Sequence, residues 1–321
     1  MRPTARTPAW EEAINCFPDH MRADIDSIWE NRGVLSAERI AQLGIRREEL
    51  GTLMMQLLPV AKQYAVVPLS DYQAGAVAAG MPNPETGWCS LYLGGNFELE
   101  KAALIFTTHA EQAAVNNAWL SGEPGIQKLA VSAAPCGYCR QFLFELVTAQ
   151  QLSILIPKEK GSLSYNSTPL TTFLPDAFGP RELEVTGGLM DPEVCWRKLA
   201  LKTSSLDDLV MAALDAASRS YAPYSTRGSF NYAGVAVELT DGKIYAGRHA
   251  ENAAYNPSLS PLQSALIFMN MARPSVTPEI ARCVLVELPT LASQFSATEA
   301  SLAACAAGVT LEYHTARIVT N

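Results

Sequence analysis

No stretch of this chain holds an uncharged apolar run near the ~18 residues that a membrane-spanning helix takes. Positive charge is also scarce: 24 Lys and Arg stand against 32 Asp and Glu, a net charge of -8. Phosphate contacts need clustered basic side chains, so no nucleic-acid partner is expected. Cysteine is thin and odd in number, seven in 321 residues, which does not fit a disulfide framework and points to a reducing, cytoplasmic setting. The first ten residues are interrupted by Pro3, Thr4, Thr7 and Pro8 and hold no apolar core, so no export signal is expected. What the chain does have is a hydrophobic fraction of 48% with 17% charged residues, enough to bury the core of a folded protein.

Apolar residues recur at three- and four-residue spacing through residues 1–63: Trp10, Ile14 and Phe17; Met21, Ile25, Ile28 and Trp29; Leu50, Leu53, Met54, Leu57 and Leu58. The spacing predicts a small all-helical segment whose stripes pack inward. From Pro68 the pattern changes. Short runs at 74–79 and 90–93, split by a Pro-, Asn- and Gly-rich turn, predict a hairpin. A helix from Thr107 or Thr108, a strand at 129–133, a helix from about Cys136 and a strand at 152–156 complete a layered α/β unit over 64–157. Residues 158–203, irregular and rich in Gly and Pro, read as a linker. A second α/β unit over 204–321 then runs through the same order, with Asp241-Gly242 as the hairpin turn.

The two units can be laid side by side. Ala74-Gly75-Ala76-Val77-Ala78 falls against Ala233-Gly234-Val235-Ala236-Val237, His109-Ala110-Glu111-Gln112-Ala113 against Pro261-Leu262-Gln263-Ser264-Ala265, and Pro135 against Pro289.

That alignment matters because the first unit carries a constellation that the second lacks. His109-Ala110-Glu111 stands at one helix start and Pro135-Cys136-Gly137-Tyr138-Cys139 at another. One imidazole and two thiols make three zinc ligands and leave the fourth, tetrahedral position for water, as in catalytic sites; structural sites are closed by four protein ligands. Helix N-termini lower thiol pKa values and favour metal binding. Glu111, two residues past His109, is placed to accept and return a proton beside the open position. In the second unit the three ligand positions are Pro261, Thr290 and Ser293 and the carboxylate position is Gln263, so one Zn2+ per chain is expected. His249-Ala250-Glu251 has no C-x-x-C after it and is assigned no metal.

Three runs in the first unit closely resemble the cytidine deaminases: Asn96-Phe97-Glu98, His109-Ala110-Glu111-Gln112 and Pro135-Cys136-Gly137-Tyr138-Cys139-Arg140-Gln141-Phe142. The residue set is the known signature of zinc deaminases. Leu174-Pro175-Asp176-Ala177-Phe178-Gly179-Pro180 and Ala250-Glu251-Asn252-Ala253-Ala254-Tyr255-Asn256-Pro257 resemble the homodimeric branch, which fuses an active and a degenerate domain. The resemblance spans roughly Leu50 to the C-terminus. It implies tandem three-layer α/β/α domains, each a mixed sheet with helices on both faces, preceded by the helical segment.

It also implies a function: zinc-dependent hydrolytic deamination of cytidine and 2′-deoxycytidine in pyrimidine salvage, with Glu111 as the proton shuttle. Asn96 and Glu98 resemble the pair that binds ribose hydroxyls, although both also suit turn chemistry after Gly94-Gly95. Tyr72 stands where the family has a phenylalanine stacking near the base. The backbones of Ala110 and Ala134 resemble the base-reading edge. Phe178, Ala254 and Tyr255 resemble residues that a degenerate domain or a partner subunit supplies to close the pocket; Phe178 equally suits a linker anchor. In the second unit His249 replaces the amide of Asn96, which implies that ribose binding is lost there. A deaminase of dCMP or of polynucleotide cytosine remains an alternative, as does a non-catalytic zinc-stabilised binding module.

Overall fold

A computed structural model describes residues 6–224, 228–272 and 279–319; the first five residues of the expected helical segment therefore lie outside the described residues. The chain opens with α1 (Pro8–Asn15), α2 (Asp19–Asp26), β1 (Val34–Leu35), α3 (Ala37–Gln42) and α4 (Leu50–Lys62). Helix starts follow their caps: Thr7 Oγ1 accepts from Trp10 N at 3.1 Å ahead of α1, and Ser36 Oγ from Arg39 N at 3.4 Å ahead of α3. The apolar stripes face inward. Trp10 packs edge-on against Trp29 at 4.7 Å and against Tyr64 at 5.9 Å, between ring centroids.

The first α/β unit holds β2 (Gly75–Ala79), β3 (Leu91–Gly95), α5 (Ala110–Leu120), β4 (Lys128–Val131), α6 (Gly137–Leu143), β5 (Ser153–Pro157), β6 (Tyr165–Pro169) and α7 (Leu170–Phe173). The second holds β7 (Leu199–Leu201), α8 (Asp208–Ser218), β8 (Ala233–Leu239), β9 (Ile244–Arg248), α9 (Pro261–Ala272), β10 (Ile280–Glu287), α10 (Phe295–Cys305) and β11 (Leu311–Ile318).

The repeat predicted from sequence is present in the topology. The first sheet runs β1-β3-β2-β4-β5-β6 and the second β7-β11-β10-β8-β9, so β3-β2-β4-β5-β6 and β9-β8-β10-β11-β7 have the same order. In both, only the central β4–β5 or β10–β11 pair is parallel and the remaining pairs are antiparallel. The first sheet adds β1, which pairs Val34 with Tyr92 and Leu35 with Leu91.

Residues 158–203, read from sequence as a linker, place β6 on the edge of the first sheet and β7 on the edge of the second. β6 (Tyr165-Asn166-Ser167-Thr168-Pro169) is held by its ladder to β5 and carries no apolar alternation. An edge strand with polar side chains has none of the periodicity that identifies a half-buried strand.

Helices cover both faces of each sheet, and glycines allow the approach. A Cβ on Gly94 would stand 2.2 Å from Ala114 N of α5, whereas one on its neighbour Gly95 would stand 2.5 Å from Ala65 N, just past α4. Successive residues of a strand face opposite ways, so this pair marks the two faces. In the second unit Gly234 meets α8 at Ala217 N and Gly247 meets α9 at Ala265 N in the same manner. Gly94→Ala must push the α5 backbone away. The substitution should destabilise the protein by about 1–3 kcal/mol, the usual cost of overpacking, as measured by denaturant unfolding.

The halves share a core. Helix α5 is buried over nearly its whole length because it lies between its own sheet and α9. Asn116 Nδ2 donates to Ser264 O at 3.1 Å, and Ser264 Oγ donates back to Asn116 Oδ1 at 2.6 Å. Among the described residues no helix is long and apolar enough to cross a membrane.

Candidate active site

The ends of β2 and β3 and the starts of α5 and α6 converge on one cavity. Phe97 and Thr108 exchange backbone hydrogen bonds of 2.8 Å each, which sets Asn96 and Glu98 beside the entry to α5. His109 is the N-cap residue of α5, and its backbone N–H is held by Gln112 Oε1 at 3.2 Å. Cys136 is the N-cap residue of α6 and Cys139 lies in that helix's first turn. Two helix starts therefore present the imidazole and the thiols to one point.

There His109 Nδ1 lies 3.4 Å from Cys136 Sγ and 3.2 Å from Cys139 Sγ, and the three ligand atoms all fall within 4.8 Å of one another. Ligands of a tetrahedral zinc, with bonds of about 2.3 Å to sulfur and 2.0–2.1 Å to nitrogen, stand roughly 3.5 Å apart in an S···N pair. The donor set thus fits zinc by chemistry and by spacing. A hydrogen bond between the two thiols pulls Cys136 down to about 4 and, together with burial, pushes Cys139 up. Metal binding to such thiols releases protons.

Glu111 is 8% exposed and borders the same cavity. Burial raises its carboxyl above the ordinary range, against the nearby His109. The cavity, about 380 Å³, is bordered by Tyr72, Asn96, Glu98, His109, Ala110, Glu111, Ala134 and Cys136, so eight of the residues singled out in the sequence meet around one space. Asn96 is fixed at both ends of its amide: Oδ1 accepts from Ala74 N at 2.8 Å and Nδ2 donates to Tyr72 O at 2.9 Å. Glu98 accepts from Leu69 N at 2.9 Å, Ser70 N at 3.1 Å and the Ser70 hydroxyl. Burial alone would raise its carboxyl, but those three donors hold it below the ordinary range. Sequence reasoning missed Ser70. Its backbone and hydroxyl both orient Glu98, and nothing in its immediate neighbours signals that role.

Phe178, Ala254 and Tyr255 do not border this cavity in the single chain. Phe178 is 47% and Tyr255 66% exposed. The Phe178 backbone and the residues flanking Ala254 and Tyr255 nonetheless adjoin the thiol-bearing helix. Gln141 Nε2 of α6 donates to Phe178 O at 2.7 Å and to Asn252 Oδ1 at 3.3 Å, and Tyr138 OH donates to Asn256 O at 3.0 Å. Beneath them lies a buried carboxylate that the sequence did not flag. Glu145, fully enclosed, accepts from Tyr221 OH and Tyr224 OH at 2.8 Å each and from Ala253 N at 2.7 Å, all three in the second half.

In the second half the metal-ligand positions are bonded otherwise. Thr290 Oγ1 donates to Asn231 Oδ1, Ser293 Oγ to Glu287 Oε1 at 2.5 Å, and Gln263 Nε2 to Phe106 O at 3.1 Å. His249 is enclosed, and burial pushes its pKa down to about 4. An unfolded histidine titrates near 6.5, so between those values the unfolded state binds the extra proton. Stability therefore falls as pH drops through that window, by about 2 kcal/mol between pH 7 and 5 from this ring. Denaturant midpoints at the two pH values should show wild type losing about that much more than His249→Asn.

The chain's likenesses agree with this geometry. Residues 48–154 and residues 170–301 each match a family described as the cytidine and deoxycytidylate deaminase zinc-binding region. A cytidine deaminase of Aliivibrio fischeri is 39% identical over 94% of this chain and 96% of its own length. One from Sodalis glossinidius is 43% identical over 85% and 86%, and one from Photorhabdus laumondii 45% identical over 79% of each. Likeness of that extent, with a zinc-type donor set closed by the fold in the first matched region, shows that the chain belongs to the cytidine deaminase family and carries two of its zinc-binding regions in tandem.

Proposed function

We propose that this protein hydrolyses cytidine and 2′-deoxycytidine to uridine and 2′-deoxyuridine with release of ammonia. One observation carries the reading: His109 and Cys136, whose donor set Cys139 completes, border the same cavity of about 380 Å³ as the Asn96–Glu98 pair. Zinc in such a site lowers the pKa of water and supplies a nucleophile near neutral pH.

The chain's own residues do the rest. Glu111 takes a proton from the attacking water and places it on N3 of the cytosine, then takes the second from the hydroxyl formed on C4 and gives it to the amine, which leaves as ammonia. Its burial keeps that exchange away from bulk solvent. Asn96 and Glu98, each immobilised by the hydrogen bonds given above, hold the sugar hydroxyls as donor and acceptor. The backbones of Ala110 and Ala134 read the edge of the base, and Tyr72, 60% exposed, stands at the mouth. In a homodimer the exposed Phe178, Ala254 and Tyr255 would close the site of either copy, and pyrimidine salvage in the cytoplasm is the setting in which such an enzyme works.

Deamination of dCMP or of polynucleotide cytosine fits less well, because among the described residues no Lys or Arg borders the cavity to receive a phosphate. Comparing turnover of cytidine, CMP and single-stranded DNA tests this. Cytidine should be preferred by orders of magnitude; equal or better turnover of CMP would overturn the nucleoside assignment. Gel filtration at low concentration tests the dimer, for which a fully active monomer would be the contrary result.

A further inference from the structure

The second half has a half-open cavity of its own, about 320 Å³, bordered by Asn231, His249, Glu251, Tyr255, Ser258 and Leu291 among others. Its contents match the sugar end of the first cavity group for group. A carboxylate, an amide, an aromatic ring and a hydroxyl are supplied by Glu98, Asn96, Tyr72 and Ser70 in the first and by Glu251, Asn231, Tyr255 and Ser258 in the second.

The polar groups are fixed as well, though by other partners: Asn231 bonds to Glu251 and Thr290, where Asn96 bonds to backbone. Glu251 is 4% exposed, accepts from Asn231 Nδ2 at 2.5 Å and from Tyr224 N at 3.2 Å, and keeps lone pairs beyond those two bonds. His249 Nδ1 lies 3.1 Å from Leu259 O, which can only accept, so that nitrogen carries the proton and Nε2 is left as an acceptor. Burial, which holds this ring's pKa near 4, keeps it neutral at pH 7. Ser258 Oγ accepts from Asn252 N at 2.9 Å and retains its own O–H to donate.

Two buried acceptors on the wall of one cavity call for a ligand that brings two donors. Adjacent hydroxyls of a pentose supply them, and a carboxylate in the wall disfavours a phosphate. The metal end is gone, since the ligand positions hold Pro261, Thr290 and Ser293 and Gln263 is turned to Phe106. We propose that the second half binds a neutral nucleoside through its sugar hydroxyls, at a site that holds the ligand without transforming it. The loss of ribose binding implied by the replacement of Asn96 with His249 is thereby revised: the imidazole takes over as acceptor. That the ligand is a nucleoside, rather than another polyol, rests on reading the first cavity as a nucleoside site.

Equilibrium dialysis of labelled uridine against the zinc-loaded protein tests the proposal, because uridine is not consumed. Wild type should bind two uridines per chain. Leu291→Trp, at a position 67% exposed on the rim, should bind one while keeping cytidine turnover, and Glu251→Ala should also bind one. Glu98→Ala should lose turnover yet still bind one uridine, in the second half. One uridine per chain in wild type and none in Glu98→Ala would overturn the proposal and leave the first cavity's assignment intact. Two uridines in both Leu291→Trp and Glu251→Ala would overturn it as well. Two in Glu98→Ala with one in Leu291→Trp would instead count against the first cavity's assignment.

Discussion

Glu111→Gln should keep its zinc and lose cytidine turnover by about 10²–10⁴-fold, the range over which general acid–base catalysis contributes. The substitution preserves volume in a site where the side chain is 8% exposed, so packing around α5 is left as it is. The ligand atoms belong to His109, Cys136 and Cys139, none of which is altered, so metal content should stay at wild-type level. What disappears is the only carboxylate among the residues bordering the metal end of the cavity; Glu98 is occupied at the other end with Leu69 and Ser70. An amide cannot accept the water's proton and pass it on. Metal analysis and a cytidine assay on the same preparation check both halves of the expectation. Near-wild-type turnover with full zinc would remove Glu111 from the mechanism.

Glu145→Ala should cost at least about 3 kcal/mol of stability, because three buried donors each lose their acceptor at roughly 1–3 kcal/mol. Burial pushes this carboxyl up, and the bonds from Ala253, Tyr224 and Tyr221 pull it back toward the charged form, so the side chain and its partners are mutually dependent. The residue follows α6 directly, while its donors sit in the second half. It therefore ties the loop around 252–256 against the helix that presents the thiols, where Asn252 and Asn256 meet Gln141 and Tyr138. Denaturant unfolding of the zinc-loaded protein measures the stability loss, and a parallel zinc titration should show weaker binding than wild type. Glu145→Gln, which keeps one acceptor oxygen, should fall between the two. A loss below about 1 kcal/mol in Glu145→Ala would mean that the network carries no net stability.

The metal site was legible in the sequence because its chemistry is local. Each ligand sits in a short motif at a helix start, and helix starts were predictable from the order of elements. The internal repeat was legible for a related reason: Gly75 and Gly234 recur in equivalent strands because each lets a helix backbone approach its sheet. Less was readable where a residue's role depends on distant partners. The predicted strand at 90–93 stopped short of Gly94 and Gly95, yet both lie within β3 and give space to helices on opposite faces. β6 and β7 escaped notice as short edge strands at the borders of a stretch rich in Gly and Pro. Glu145 looked like one more acidic residue, since Tyr221, Tyr224 and Ala253 are remote in sequence.

The most direct measurement follows the fall in cytidine absorbance on the purified protein alongside its zinc content. The account predicts conversion to uridine with one ammonia per turnover and one zinc per chain. Removing the zinc with a chelator should stop the reaction, and adding it back should restore it. A fully zinc-loaded, folded protein that leaves cytidine unchanged would contradict the account and leave a zinc-stabilised binding module in its place.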